Sequence, residues 1–344
     1  MARPKPPTPP RQSAASITTV AERAGVSIAT VSRIVNGVAK KASPATVAKV
    51  RAAIAELGYR PVSVGRALRQ RQSRLVALLA SNPANPAMSA VAAAAEVALR
   101  RAGFVMVVCD THDVPDLQDE YLLEMRAQLV RAIVLLGPVA SPQLAAFANT
   151  GETLLFVNRR GPGRARAPFV GIDNRAAGRD VADHFIARGL GPLAVIHGDM
   201  ASSATADRIS SFRARMDASG AALSADRVVT APGGDHLDIG YRAMDRLLTA
   251  PQKPRGLFCA SDLIAYGAAR RAREAGIAVP DQLEIVGFDD NPLNDWIAPW
   301  LSSVRVPYER YGEAIVAALQ SIWAGEPRAE TILAHQLIVR PRRT

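Results

Sequence analysis

Residues 17–37 read ITTVAERAGVSIATVSRIVNG. Apolar residues recur here at helical spacing in two short blocks, Ile17, Val20, Ala21 and Ala24, then Val31, Ile34 and Val35. Ser16 and Ser27 stand where a helix cap is needed, because a serine oxygen can accept a bond from an otherwise unpaired amide in the first turn. Gly25 lies between the blocks and can take the left-handed conformation of a sharp inter-helix turn. The pattern predicts a helix-turn-helix whose second helix turns Ile28, Ala29, Ser32, Arg33 and Asn36 outward. A plain helical hairpin would show the same periodicity, so the periodicity alone does not assign a role.

The charge around the stretch does. The chain of 344 residues has a formal net charge of +11. Residues 1–74 carry fourteen lysines and arginines against Glu22 and Glu56, so the remainder is close to neutral. Positive charge gathered on one small module is the footprint of phosphate-backbone binding. A basic membrane-surface helix would need a Trp, Phe or Leu face, which this segment lacks. No apolar run is long enough to cross a bilayer, and the Pro-rich, basic residues 1–15 have no apolar core of a secretory signal. They read as an unstructured arm. Cys109 and Cys259 each lie beside an apolar run and read as lone buried thiols, in keeping with a reducing cytoplasm.

A third helix is expected from Ser43, with Pro44 in its first turn, Val47, Val50, Ile54 and Leu57 inward and Gly58 at its end. Residues 61–73 follow as a basic linker containing Gly65, a weak helix former on its own. VAERAGVSIATVSRIVNG followed by AELGYRP resembles the headpiece of the LacI (lactose repressor) family of bacterial transcription regulators. The resemblance implies a headpiece over 16–60 and a hinge over 61–73. Hinges of two chains would then pair and fold in the operator's minor groove, with Leu68 as the wedge between base pairs. Gly65 and Val62 depart from the residues usual at those positions, implying a hinge helix more dependent on DNA. By the same resemblance Ile17, Ser27, Ile28, Ala29, Thr30, Ser32, Arg33, Asn36, Thr46, Gly65 and Leu68 contact DNA. Ile28 and Ala29 offer thymine methyls apolar contact but no hydrogen bond, leaving Arg33 as the candidate for a guanine edge. Ser27, Thr30, Ser32, Asn36 and Thr46 suit phosphates or isolated base edges.

From Arg74 onward, continuous apolar runs such as LVALLA (75–80), AIVLLG (132–137), LAVIHG (193–198) and LEIVGFDD (283–290) alternate with amphipathic helical stretches. Strands of that kind belong to parallel sheets covered by helices on both faces, and two such sets predict two lobes. The markers FVGIDN, ADR before SSF, CASDLIAYGAARRAREAGIAVPD and VGFDD resemble the family's effector domain, which is similar in fold to periplasmic sugar-binding proteins. The fold class expected is thus an all-α helix-turn-helix headpiece joined to an α/β, two-lobed, periplasmic-binding-protein-like effector and dimerisation domain over 74–344. Three crossings between lobes are expected, near Gly171–Asn174, Pro299–Val304 and 328–331. They divide the domain into a first lobe of about 74–172 and 304–328 and a second of about 173–303 and 329–344.

The resemblance implies a ligand between the lobes. Arg208, Asp289, Asn158 and Asp262 are the leading candidates, with Asn85, Asp235, Arg159, His236 and Trp296 behind them. Arginine and carboxylate groups can each make paired hydrogen bonds to vicinal hydroxyls. With little aromatic content available for stacking, a sugar or sugar acid is favoured over a purine co-repressor. No G-x-S-x-G elbow, H-E-x-x-H, phosphate-binding glycine loop or Cys/His cluster is present, so neither catalysis, a metal nor a cofactor is expected. A free periplasmic binder would need a signal peptide and no basic headpiece. The expectation is a cytoplasmic, effector-controlled repressor, binding near-palindromic operator DNA as a homodimer. Without an appended heptad helix, a tetramer through a coiled coil is not expected.

Overall fold

The computed structural model describes residues 16–35, 42–59, 73–163, 165–233, 235–326 and 330–340. The chain divides into two units, residues 1–72 and 73–344.

In the first unit α1 (Ile17–Ala24), α2 (Ile28–Val35) and α3 (Pro44–Leu57) share one small core. Ser16 Oγ accepts from the Thr19 amide, and the Thr19 hydroxyl bonds back to Ser16, closing a capping box. Gly25 turns the chain at φ 65°, the left-handed conformation the sequence predicts. Ser43 caps α3 by accepting from the Thr46 amide, with Pro44 in the first turn and Gly58 ending the helix at φ 59°. Val20, Ala21, Val31, Ile34, Val50 and Ala53 are buried together. Each such valine or isoleucine contributes roughly 1.5–3 kcal/mol. Arg23 pairs with Glu56 at 2.6 Å and ties α1 to α3 at the surface.

The second unit contains two six-stranded sheets. In the first, β1 (Leu75–Ala80), β2 (Val105–Asp110), β3 (Ala132–Leu136), β4 (Leu154–Val157) and β5 (Phe169–Ile172) run parallel, in the order β5-β4-β3-β1-β2. Helices α4 (Pro86–Arg101), α5 (Pro115–Ala127) and α6 (Pro142–Phe147) connect them. The second sheet takes β6 (Leu193–Ile196), β7 (Val228–Val229), β8 (Gly256–Cys259), β9 (Glu284–Asp289) and β10 (Ser302–Arg305). Its connecting helices are α7 (Asn174–Ala187), which precedes β6, then α8 (Ser203–Ala218), α9 (His236–Leu248), α10 (Asp262–Glu274) and the single-turn α11 (Asn294–Ile297). Strands β1, β3, β4, β5, β6 and β8 are almost wholly buried, as their unbroken apolar sequences require. Helices α9 and α10 meet backbone to backbone: a Cβ built on Gly267 would lie 1.9 Å from the Leu237 carbonyl oxygen, and one on Gly240 2.0 Å from that of Ile264.

Two crossings differ from the sequence expectation. Strand β10 pairs with β9 through Arg305, so the chain leaves the second lobe at Val306–Pro307 rather than within 299–304. Helix α12 (Tyr308–Trp323) then packs on α4 in the first lobe, as expected. The run TILAHQLIVR, read as one second-lobe segment, is two strands in different lobes. β11 (Glu330–Leu333) pairs parallel with β5 on the first sheet's edge, and β12 (Gln336–Ile338) pairs antiparallel with β10 on the second's. The crossing therefore lies between Leu333 and Gln336, not near 328–331. Ala334 and His335 carry no glycine or proline to mark the break, so the run looks continuous in sequence. The first crossing lies between β5 and α7, with Asp173 capping α7 by accepting from the Ala176 amide.

Candidate functional site

On the headpiece, α2 exposes Ile28 (48% accessible), Ala29 and Arg33 while Val31 and Ile34 face the core. Ser27 caps the helix: its Oγ accepts from the Thr30 amide and lies 2.9 Å from Thr30 Oγ1. Thr46 Oγ1 is engaged in the same way with Ser43 Oγ. Those hydroxyls sit at helix N-termini, where amide donors and the helix dipole both favour an anion. Ile17, expected at the DNA, is half-buried and packs against the headpiece core. Asn36, Gly65 and Leu68 lie outside the described residues, as do residues 61–72 of the hinge.

In the second unit a cavity of about 710 Å³, counting its open mouth, takes walls from both lobes. The first lobe supplies Ser81, Asn85, Met88, Asn158 and Arg159; the second supplies Thr205, Arg208, His236, Ser261 and Asp289. Tyr308, at the start of α12, closes it from the first lobe. Strand ends aim Ser81, Asn158, Arg159, Ser261 and Asp289, and helices aim the rest. Asn158 follows β4 at φ 66°, and Asp289 ends β9 at φ 112°. Asp113, also in the wall, sits beyond β2 at φ 57°. Non-glycine residues at such angles are strained by roughly 1–3 kcal/mol each and gather where geometry serves a site.

Arg208 is buried and held by three second-lobe elements. Its Nε donates to Asn174 Oδ1 at 2.7 Å, its Nη1 to the Ala260 carbonyl at 3.0 Å, and its guanidinium carbon lies 3.4 Å from the centroid of the Phe288 ring. Burial lowers its pKa, while the nearby Asp289 works in the other direction. Asp289 Oδ1 accepts from the Tyr308 hydroxyl at 2.8 Å. Burial raises its pKa to about 6, against the pull of Arg208 and of that hydrogen bond. Arg159 pairs with Asp113 at 2.6 Å, so this cation is already balanced within the wall. His236 Nδ1 lies 2.9 Å from Ser261 Oγ, and burial followed by Arg159 pulls the imidazole below its ordinary range. The walls can thus offer a compact ligand both donors and acceptors, with the cations offset by carboxylates.

Asn158, Arg208, Asp289, Asn85, Arg159 and His236 meet at this cavity; Asp262, Asp235 and Trp296 do not. Asp262 is turned into the second lobe. Its Oδ1 accepts from Ser303 Oγ, and its Oδ2 from the Asn291 amide and Asn294 Nδ2. Asp235 caps α9 by accepting from the Leu237 amide, and Asn85 caps α4 while also lining the cavity. Trp296 is 84% exposed on α11. Sequence reasoning missed Ser81, Ser261, Thr205 and Tyr308. Ser81 and Ser261 come just after apolar strands, a signal that could have found them. Tyr308 depended on where the chain re-enters the first lobe. Among the described residues no cluster of His, Cys, Asp or Glu could hold a metal ion, and no helix is long and apolar enough to cross a membrane.

Residues 16–62 match the family described as "Bacterial regulatory proteins, lacI family", and residues 182–342 match "Periplasmic binding protein-like domain". The chain is 30% identical over 332 residues to the HTH-type transcriptional repressor PurR of Proteus mirabilis, covering 95% of this chain and 96% of that one. The Serratia proteamaculans repressor of the same name is 29% identical over equal coverage. Among solved structures, the lac repressor dimer bound to operator and the anti-inducer ONPF superposes with a TM-score of 0.83 at 25% identity, covering 95% of this chain and 98% of that chain. The complex of transcriptional regulator CelR with cellobiose gives 0.70 at 28% identity, covering 95% and 99%.

Proposed function

The chain belongs to the LacI family of bacterial regulatory proteins, a family of DNA-binding transcription regulators, and from that premise we propose that it is a repressor controlled by a small molecule held between its lobes. Helix α2 enters the major groove with Ile28 and Ala29 against thymine methyls and Arg33 against a guanine edge. Two copies bind together, so the operator is near-palindromic, each half-site matching one headpiece. The solved relative described as a dimer on operator supports the pairing. The ligand shifts operator affinity only in so far as it binds one lobe arrangement better than another.

The observation that carries the ligand reading is the two-lobed wall, Arg208 and Asp289 facing Asn158 and Ser81. For the class of ligand, the relatives named PurR favour a purine co-repressor over the sugar preferred from sequence. A neutral polyol is the second reading, supported by the scarcity of aromatic walls, Tyr308 and His236 being the aromatic rings in the lining, and by the cellobiose-bound relative. The wall's paired cations, Arg159 with Asp113 and Arg208 beside Asp289, weigh against a sugar acid. Titration calorimetry of the full chain with hypoxanthine, guanine, D-ribose, cellobiose and D-gluconate tests the choice. Saturable binding of a purine, lost in Arg208→Ala, is the expected result. Binding of a sugar alone selects the second reading, and binding indifferent to Arg208→Ala removes the cavity from the account.

A further inference from the structure

Tyr308 and Asp289 face one another across the lobes. Tyr308 opens α12, which packs on α4 of the first lobe, whereas Asp289 ends β9 of the second. Their 2.8 Å hydrogen bond therefore joins the two bodies inside the cavity. Both partners are aimed before they meet. The φ of 112° at Asp289 turns its side chain away from the course of β9, and the Tyr308 ring lies 6.0 Å from that of the fully buried Tyr311. A second bond crosses at the rim, where the Arg160 amide donates to Ser203 Oγ at 2.8 Å. Arg160 itself is fixed to the first lobe, its guanidinium paired with Glu330 and lying 4.4 Å from the centroid of the Phe169 ring.

We propose that the Tyr308 hydroxyl and the Asp289 carboxylate form a built-in latch that holds the lobes together and that a ligand reaching Asp289 must share or displace. Tyr308 then acts as a positioning residue. It engages one carboxylate oxygen and sets how readily the lobes part, whichever class of ligand the cavity takes. A hydrogen bond to an ionised acceptor is stronger than one between neutral groups, and partial exclusion from water strengthens it further. Removing only the hydroxyl leaves the ring, and with it the packing, in place.

Lobe separation can be read without any ligand. Ala140 and Met200, exposed beyond the carboxyl ends of β3 and β6, take nitroxide labels as Ala140→Cys and Met200→Cys, while Cys109 and Cys259 are buried. Pulsed electron-spin distance measurements on the full chain then compare variants. Tyr308→Phe should raise the long-distance fraction about tenfold, the scale of one charge-assisted hydrogen bond. Asp289→Ala should do the same, and the double variant should go no further than either alone. Asp289→Asn keeps an acceptor oxygen but not its charge and should fall between the parent and Asp289→Ala, a graded response that a general loosening of the fold would not give. A Tyr308→Phe distribution superimposed on the parent overturns the proposal, as do additive effects in the double variant.

Discussion

Asp262 is where a single side chain decides between two roles. It has three donors around its carboxylate and is buried, so its oxygens are spoken for within the second lobe. Burial, followed by the charge of Asp289, raises its pKa from 3.8 to about 7. Because the folded value is the higher one, the folded chain binds the proton more tightly. The stability this contributes is fully present below about pH 4 and is lost as pH rises through about 7. Asp262→Asn, which keeps one acceptor and cannot titrate, should therefore flatten the fall in unfolding temperature across that range. A variant profile parallel to the parent's would mean that the carboxyl does not titrate there. In sequence both Asp262 and Asp289 lie by an apolar strand, Asp289 directly after one and hence the stronger candidate. What separates them is the direction of the backbone: Asp262 begins a helix and points back at residues 291–303, while Asp289 turns into the cavity at positive φ.

Among the elements, the helices were legible from the spacing of apolar residues and from their caps, and the buried strands from their unbroken apolar runs. How closely elements approach was not legible. Gly240 and Gly267 look like isolated weak points in helical sequence, yet they let α9 and α10 touch through their backbones. Gly267→Ala gains in helix propensity by about 1 kcal/mol. It must nevertheless force two backbones apart, an overpacking cost of about 3 kcal/mol that outweighs the gain. Urea unfolding should show a lower midpoint with an unchanged slope. A midpoint at or above the parent's would show that the helices can separate cheaply. The division of residues 330–338 between sheets escaped for a related reason: strand identity is set by the partner edge, and no local residue signals which edge is available.

At the scale of the whole molecule, the charge split and the two sets of alternating strands made a basic headpiece and a two-lobed body readable. The proposed pairing of copies needs a surface to carry it. Trp296 and Ile297 are 84% and 61% exposed next to Leu293, an apolar patch on a short helix that an isolated chain has no reason to present to water. Aromatic side chains dominate association energies where an interface buries them. Trp296→Arg should weaken the dimer by about 2 kcal/mol or more, which sedimentation velocity reads as a shift toward monomer at micromolar concentration. An unaltered dimer would move the interface to another face.

The return of the chain to the first lobe, through α12 and β11, also bears on how the protein comes into being. As a ribosome delivers the chain in order, the first sheet has five strands and lacks its edge while the second lobe emerges, and α4 has no α12 to cover it. The earlier lobe must wait for the later one to be made before it is complete. Contacts of such sequence separation form slowly, and incomplete sheets with bare edges invite aggregation. A nascent chain stalled before residue 308 would thus expose apolar surface on its older half, making that half the one that most needs a chaperone.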